Sequence, residues 1–389
     1  MIYADNSATT FPKPQTVYQS VNYSTRHYGG NSGRSGHKMS LESAEQIYRC
    51  RETAAEFFHA EKAENMIFTP NCTYSLNTVI KGFVRQGEHI VISDLEHNSV
   101  LRAVNEMTKT GASYTVAQTV HGDFETTLNH FRRAINEKTK LIVLTHASNV
   151  TGTILPVSRI IALAHQYNIK VLVDTAQTAG VIPIDVEAWN ADFVAAAGHK
   201  GLMGIMGTGL LYIRNPETVS PLIFGGTGSS SLEYSQPEIM PDKFESGTCN
   251  ITGISSLKAG IEFIQKRGIE HIHRYEYRLI EELYTGLEKI PEVILYTPKP
   301  DIEYQAPLLS FNIGTMPSED VAEILNRRYH IFVRAGLHCA PLAHKKLHTE
   351  NQGTVRISLS VFNTSTQIQT ILQAVKNISN EYSKKVNRK

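Results

Sequence analysis

The chain has 389 residues, 41% of them hydrophobic and 19% charged, the usage of a soluble α/β protein long enough for two domains or one large unit. Its 38 basic and 37 acidic residues leave a net charge of +1, so no global field draws nucleic acid, acidic substrates or an anionic membrane. The start, "MIYADNSATTF", lacks a basic region before an apolar core, and no run approaches the roughly 18 apolar residues of a membrane span, which points to a cytoplasmic protein.

Along the chain, "LESAEQIYRCRETAAEFF" (41 to 58) has a helical period, "MIFTP" (66 to 70) reads as a strand and "CTYSLNTVIKGFV" (72 to 84) as a helix. "HIVISD" (89 to 94), "LIVLTHAS" (141 to 148), "KVLVDTA" (170 to 176), "ADFVAAAG" (191 to 198) and "GTGLLYI" (207 to 213) are short apolar runs that read as buried strands. Helical stretches such as "VSRIIALAHQYN" (157 to 168) lie between them, so right-handed βαβ crossovers and a mostly parallel sheet are expected. "GGTGSSS" (225 to 231) reads as a flexible loop near the site. Beyond it the pattern predicts one long helix over about 254 to 289, strands near 307 to 313 and 354 to 360, and a final helix, a plausible second, smaller domain. The tail "SKKVNRK" reads as a frayed terminus.

The chemistry clusters just past predicted strand ends, where open α/β sheets place their sites. Asp174 and Gln177 follow one strand, and Lys200 in "AAAGHKGLMG" follows the next. Alone, Asp174 reads as a helix cap and Lys200 as a surface charge. Together they suit a pyridoxal-phosphate site, with the lysine forming a Schiff base and the carboxylate favouring the protonated pyridine nitrogen. Cys50, Cys72, Cys249 and Cys339 are scattered without CxxC spacing, so a cysteine of importance acts alone, as a thiol. In "RAGLHCAPLAH", His338 and Arg334 give Cys339 a cationic setting that favours the thiolate; the alternatives are an inert buried cysteine, or zinc held by His338, Cys339, His344 and His348, which lacks a second cysteine pair.

"EHNS", "SNVTG", "VDTAQ", "GHKG", "ESGT", "RAGLHCAP" and "VRISLSVFNT", in that order from residue 96 to 364, resemble the cysteine desulfurase and selenocysteine lyase family, class V aminotransferases of pyridoxal-phosphate fold type I. The opening "YADNSATT" is similar to that family's amino-terminal segment, and the compact cysteine loop resembles its second group. The resemblance implies an α/β fold with a mostly parallel seven-stranded sheet in a large domain (14 to 258) and a smaller α+β domain (1 to 13 and 259 to 389). It also implies a homodimer with composite sites.

By the same resemblance, His97 stacks on the cofactor ring, its alternative being a backbone hydrogen bond. Thr73 binds the phosphate, its alternative being an N-cap, and His199 is a further phosphate ligand. Asn149 and Gln177 bond the phenolic side, though either could be a loop-stabilising amide. Thr248 reaches the partner subunit's phosphate. Ala197 stands where many relatives carry a serine, so one phosphate contact is absent, and either cofactor affinity is lower or another donor compensates. Arg356, with Asn149 and Arg334, holds the substrate carboxylate, against the alternative of a structural salt bridge for Arg356. Asn31, Arg34 and His37 occupy an entrance loop. Lys200 moves the Cα proton of L-cysteine, and Cys339 receives the sulfur as a persulfide and passes it to a protein or small thiol, a step that serves routes such as iron–sulfur cluster assembly. A selenocysteine lyase, or a class V transaminase or epimerase, would share most of these residues. A non-catalytic cofactor-binding scaffold is argued against by the intact Lys200 and Cys339.

Overall fold

The computed structural model describes residues 1 to 33 and 36 to 386. A short strand, β1 (Ile2–Tyr3), opens the chain. The next seven are β2 (Met66–Thr69), β3 (His89–Ser93), β4 (Ser113–Ala117), β5 (Thr139–Thr145), β6 (Lys170–Asp174), β7 (Phe193–Ala197) and β8 (Gly209–Ile213). They form one sheet in the order β2-β8-β7-β6-β5-β3-β4, in which β8 alone runs against the rest. The period-2 pleat sorts their apolar residues onto two faces. Val91, Ile142, Val171, Val173 and Val194 pack into one core, and Ile90, Ile92, Leu141, Val143, Leu172 and Phe193 into the other. Every residue of β3, β7 and β8 is buried, which is why these strands read as unbroken apolar runs.

Strand β4 has no counterpart among the sequence expectations. It is the edge strand, paired only with β3, and its first four residues alternate between exposed and half-buried, so "SYTVA" carries little apolar signal.

The remaining strands are β9 (Val293–Leu295), β10 (Leu308–Ile313), β11 (Ile331–Phe332) and β12 (Val355–Ser358). An antiparallel sheet of order β12-β10-β9 carries its own core, which includes Leu309, Phe311, Val355, Ile357, Leu283 and Ile371. β1 pairs in parallel with β11, which joins the first residues to this part of the chain. The expected long helix is corrected to two, Ile251–Arg267 and Ile269–Leu287, because Gly268 between them takes φ +81°, outside the helical region. The final helix, Ser365–Val386, continues well into the expected frayed tail, whose last three residues lie outside the described set.

Candidate active site

The parallel register sets Asp174, the last residue of β6, beside Ala195 of β7, and the chain leaving β7 reaches His199 and Lys200. Asp174 is 4% exposed, and its Oδ1 accepts from the Ala176 N–H at 2.8 Å and from the Cys72 S–H at 3.5 Å. No hydrogen bond among the described residues reaches Oδ2. Burial lowers the Lys200 pKa, the Asp174 carboxylate opposes that shift, and the charges of Arg356 and Arg334 add to it.

Lys200, Asp174, Gln177, Asn149, His97, Thr73, His199 and Ala197 line one cleft enclosing about 540 Å³ of empty space, within the range of small-molecule sites. Sequence reasoning had singled out each of these eight positions. The helix Cys72–Phe83 points its amino terminus into the cleft. Its N-cap is Asn71, whose side chain accepts from the Tyr74 N–H at 2.9 Å, so the alternative of Thr73 as N-cap is corrected: Thr73 is the second helical residue. The Thr73 hydroxyl meets Ser99 Oγ at 2.7 Å, and Ser99 also lines the cleft. Ser99 went unnoticed in the sequence. It lies in the first turn of helix Asn98–Thr108 and supplies a hydroxyl where Ala197 has none.

His97 caps that helix, its Nδ1 accepting from the Ser99 N–H at 3.1 Å, so the backbone hydrogen bond offered as its alternative role is present and fixes the ring at the cleft. Burial lowers its pKa; the Asp174 carboxylate opposes that shift, and the charges of Lys200, Arg334 and Arg102 add to it. Glu96 pins the preceding turn, accepting from the Thr145 N–H at 2.9 Å. His199 is pushed down to about 4 by burial and by Lys200 and Lys13, so it is neutral at pH 7.

These features fit pyridoxal phosphate. Asp174 Oδ2 is an open acceptor for a pyridinium N–H, and the bonded hydroxyls of Thr73 and Ser99, a helix amino terminus and His199 all line the cleft, donors that suit a phosphate.

The Cys339 loop adjoins this wall through its main chain. Asn149 Nδ2 donates to the His338 carbonyl at 2.7 Å, and the Asn98 N–H donates to the Cys339 carbonyl at 2.6 Å. His338 and Cys339 both take positive φ, +47° and +58°, a conformation costing roughly 1–3 kcal/mol per residue, held here by those bonds. The thiol is half-buried, with Arg334 Nη2 3.5 Å from its sulfur. The expected cationic flank is corrected in one respect: burial pushes His338 down to about 2, so it is neutral, and its Nε2–H donates to the Thr354 carbonyl at 3.0 Å. Arg334 alone supplies the positive charge. Among the described residues no three His, Cys, Asp or Glu side chains are grouped to hold a metal ion, and His344 bonds Thr349 rather than its neighbours.

Arg356, on β12, is fully buried. Nη2 donates to Asp5 Oδ1 at 2.8 Å and Nη1 to the Asn149 carbonyl at 3.0 Å, while Nε has no partner. The salt bridge weighed as its alternative role is therefore present. Asp5 belongs to an amino-terminal segment given no site role in the sequence, although "YADNSATT" was noted. That segment clamps the lysine loop: Thr10 Oγ1 donates to the Lys200 carbonyl at 2.7 Å, and Lys13 Nζ to the His199 carbonyl at 2.7 Å. Thr248 is exposed, away from this cleft, where its hydroxyl accepts from Asn31 Nδ2 at 3.2 Å. His37 caps helix Lys38–Phe58, accepting from the Ser40 N–H at 3.3 Å. Arg34 lies outside the described residues.

Residues 2–371 match the family described as Aminotransferase class-V. A Methanothermobacter thermautotrophicus protein named "Probable cysteine desulfurase" is 34% identical, over 97% of this chain and 94% of its own length. The apo structure of a cysteine desulfurase from Thermococcus onnurineus NA1 superimposes with a TM-score of 0.90 at 34% identity, covering 98% of this chain and 95% of that one. An Escherichia coli cysteine desulfurase in an S-sulfonic acid form gives 0.85 at 26% identity, covering 98% and 94%. With its cleft of lysine, aspartate and helix termini adjoining a thiol loop, this chain belongs to the class-V aminotransferases, in the pyridoxal-phosphate-dependent cysteine desulfurase family.

Proposed function

We propose that the chain converts L-cysteine to L-alanine and takes the sulfur onto Cys339 as a persulfide, which a protein or small thiol then removes. The carrying observation is the Cys339 loop, bonded through two consecutive carbonyls to Asn149, which lines the cleft that holds Lys200, and to Asn98, which lies between the cleft residues His97 and Ser99. When bound, pyridoxal phosphate supplies the electron sink that acidifies the substrate Cα–H and weakens Cβ–S. Asp174 Oδ2 would hold its pyridine nitrogen, His97 would cover its ring, Asn149 and Gln177 would bond its phenolic oxygen, and Thr73, Ser99 and His199 would hold its phosphate. Lys200, whose pKa burial lowers, takes the Cα proton. The Cys339 thiolate attacks the substrate sulfur: S–S forms, Cβ–S breaks, Cβ keeps the electron pair and gains a proton to become the methyl of alanine, and Lys200 returns a proton to Cα. Arg334 and the open Nε–H of Arg356 are the cationic donors for the substrate carboxylate.

The working form is a homodimer in which Thr248 serves the partner's site. Its exposure supports this, as does the neighbouring loop, where Phe224, Leu232, Tyr234 and Ile239 are left in water. No helix among the described residues is long and apolar enough to cross a membrane, and we place the reaction in the cytoplasm. The division into residues 14 to 258 and 1 to 13 with 259 to 389 agrees with the separate core around β10 and β12.

The test compares wild type with Cys339→Ala on L-cysteine with a reducing thiol, following alanine, sulfide and visible absorbance. Wild type is expected to yield both products, and the variant to keep its colour while losing both. A coloured wild type that releases neither, even with thiol acceptors, rejects the reading and directs attention to selenocysteine or amino-group transfer.

A further inference from the structure

Asp174 has a second neighbour that the reaction above does not use. Cys72 starts helix Cys72–Phe83, is 8% exposed and lines the same cleft as Lys200. Its S–H points at Asp174 Oδ1 across 3.5 Å, opposite the Ala176 N–H at 2.8 Å. Burial, reinforced by the Asp174 charge, pushes the thiol well above its ordinary range, so it stays protonated and remains a donor. A thiol is a weak donor, able to orient a carboxylate while drawing little charge from it.

We propose that Cys72 is a positioning residue: together with the Ala176 amide it fixes Oδ1 of Asp174, so that Oδ2 meets the cofactor's ring nitrogen with its charge nearly intact. This rests on the pyridoxal-phosphate reading given above. The other charged or titratable groups near this pair are Lys200 after β7, the buried Glu96 carboxyl and His97 ahead of helix Asn98–Thr108, Arg334 beside the cysteine loop and Arg356 on β12. Substituting Cys72 leaves all of them in place.

The test uses holoenzyme of wild type, Cys72→Ser and Cys72→Val, with Cys72→Ala as a further donor-free variant. For each, the pH midpoint of the cofactor's visible band and the dissociation constant for pyridoxal phosphate are measured. A serine hydroxyl binds Oδ1 more strongly and withdraws charge, so the midpoint is expected to fall by about half a pH unit and the cofactor to bind about threefold more weakly. Valine removes the donor and is expected to move the midpoint upward by a similar amount, as is alanine. Midpoints that stay at the wild-type value, or that move in one direction for serine and valine alike, overturn the proposal and leave Cys72 a packing residue. A wild-type protein that acquires no visible band with pyridoxal phosphate overturns the underlying reading as well.

Discussion

The wall that carries Asp174 and Lys200 and the loop that carries Cys339 face the same chemistry but are built by different means. The wall is an extension of the sheet: β6 and β7 are parallel neighbours with all but one residue buried, and the pairing of Asp174 with Ala195 sets where each functional side chain emerges. The loop has no such scaffold. Its two key residues sit in left-handed backbone conformations and are anchored by donors from β5's following turn and from helix Asn98–Thr108. A rigid wall suits a group that must hold a cofactor in one pose, and a tethered loop suits a thiol that must first reach a substrate and later meet an acceptor.

If the wall is the cofactor platform, Lys200→Ala gives the largest effect: alanine and sulfide production falls to background, checked by product assays alongside loss of the wild-type visible band. Breaking the tether comes next. Asn149→Ala frees the buried His338 carbonyl and misplaces the loop, so kcat with L-cysteine is expected to fall about 10²-fold. Hydrogen exchange is expected to speed up across residues 336 to 340.

Acid sharpens the contrast in stability. His338 titrates at about 2 in the fold against 6.5 in its ordinary state, so between those values the unfolded chain binds the proton and the folded one does not. Stability contributed by neutral His338 is complete above about pH 6.5 and falls by up to about 1.4 kcal/mol per unit below it. The Tm should therefore drop between pH 6.5 and pH 5, and His338→Gln should flatten that slope. The smallest effect belongs to the wall: Ala197→Ser adds a hydroxyl to the cleft and is expected to tighten pyridoxal phosphate about fivefold by equilibrium titration, the worth of one hydrogen bond.

The same contrast explains what was legible in the sequence. Apolar runs ending in Asp174, and before Lys200, announce buried strands and their carboxyl ends, so the wall could be read from spacing together with the family resemblance. The tethers could not. Asn149 meets His338 across 189 positions and Asp5 meets Arg356 across 351, and no local periodicity signals either pair. Ser99, inside "EHNS", and Cys72, one of four scattered cysteines, show no role in the sequence for a different reason: each lies in the first turn of an ordinary amphipathic helix, and only the meeting of two helix starts gives it a task. Gly268 was visible, but one glycine in a helical pattern does not announce a break until its φ is known.

The cysteine loop is held by the His338 and Cys339 carbonyls and by the His338 ring, which donates to Thr354. Leu337, two residues before Cys339, is exposed and takes no part in those bonds. The loop's outward side chain can therefore change without disturbing the bonds that fix the loop.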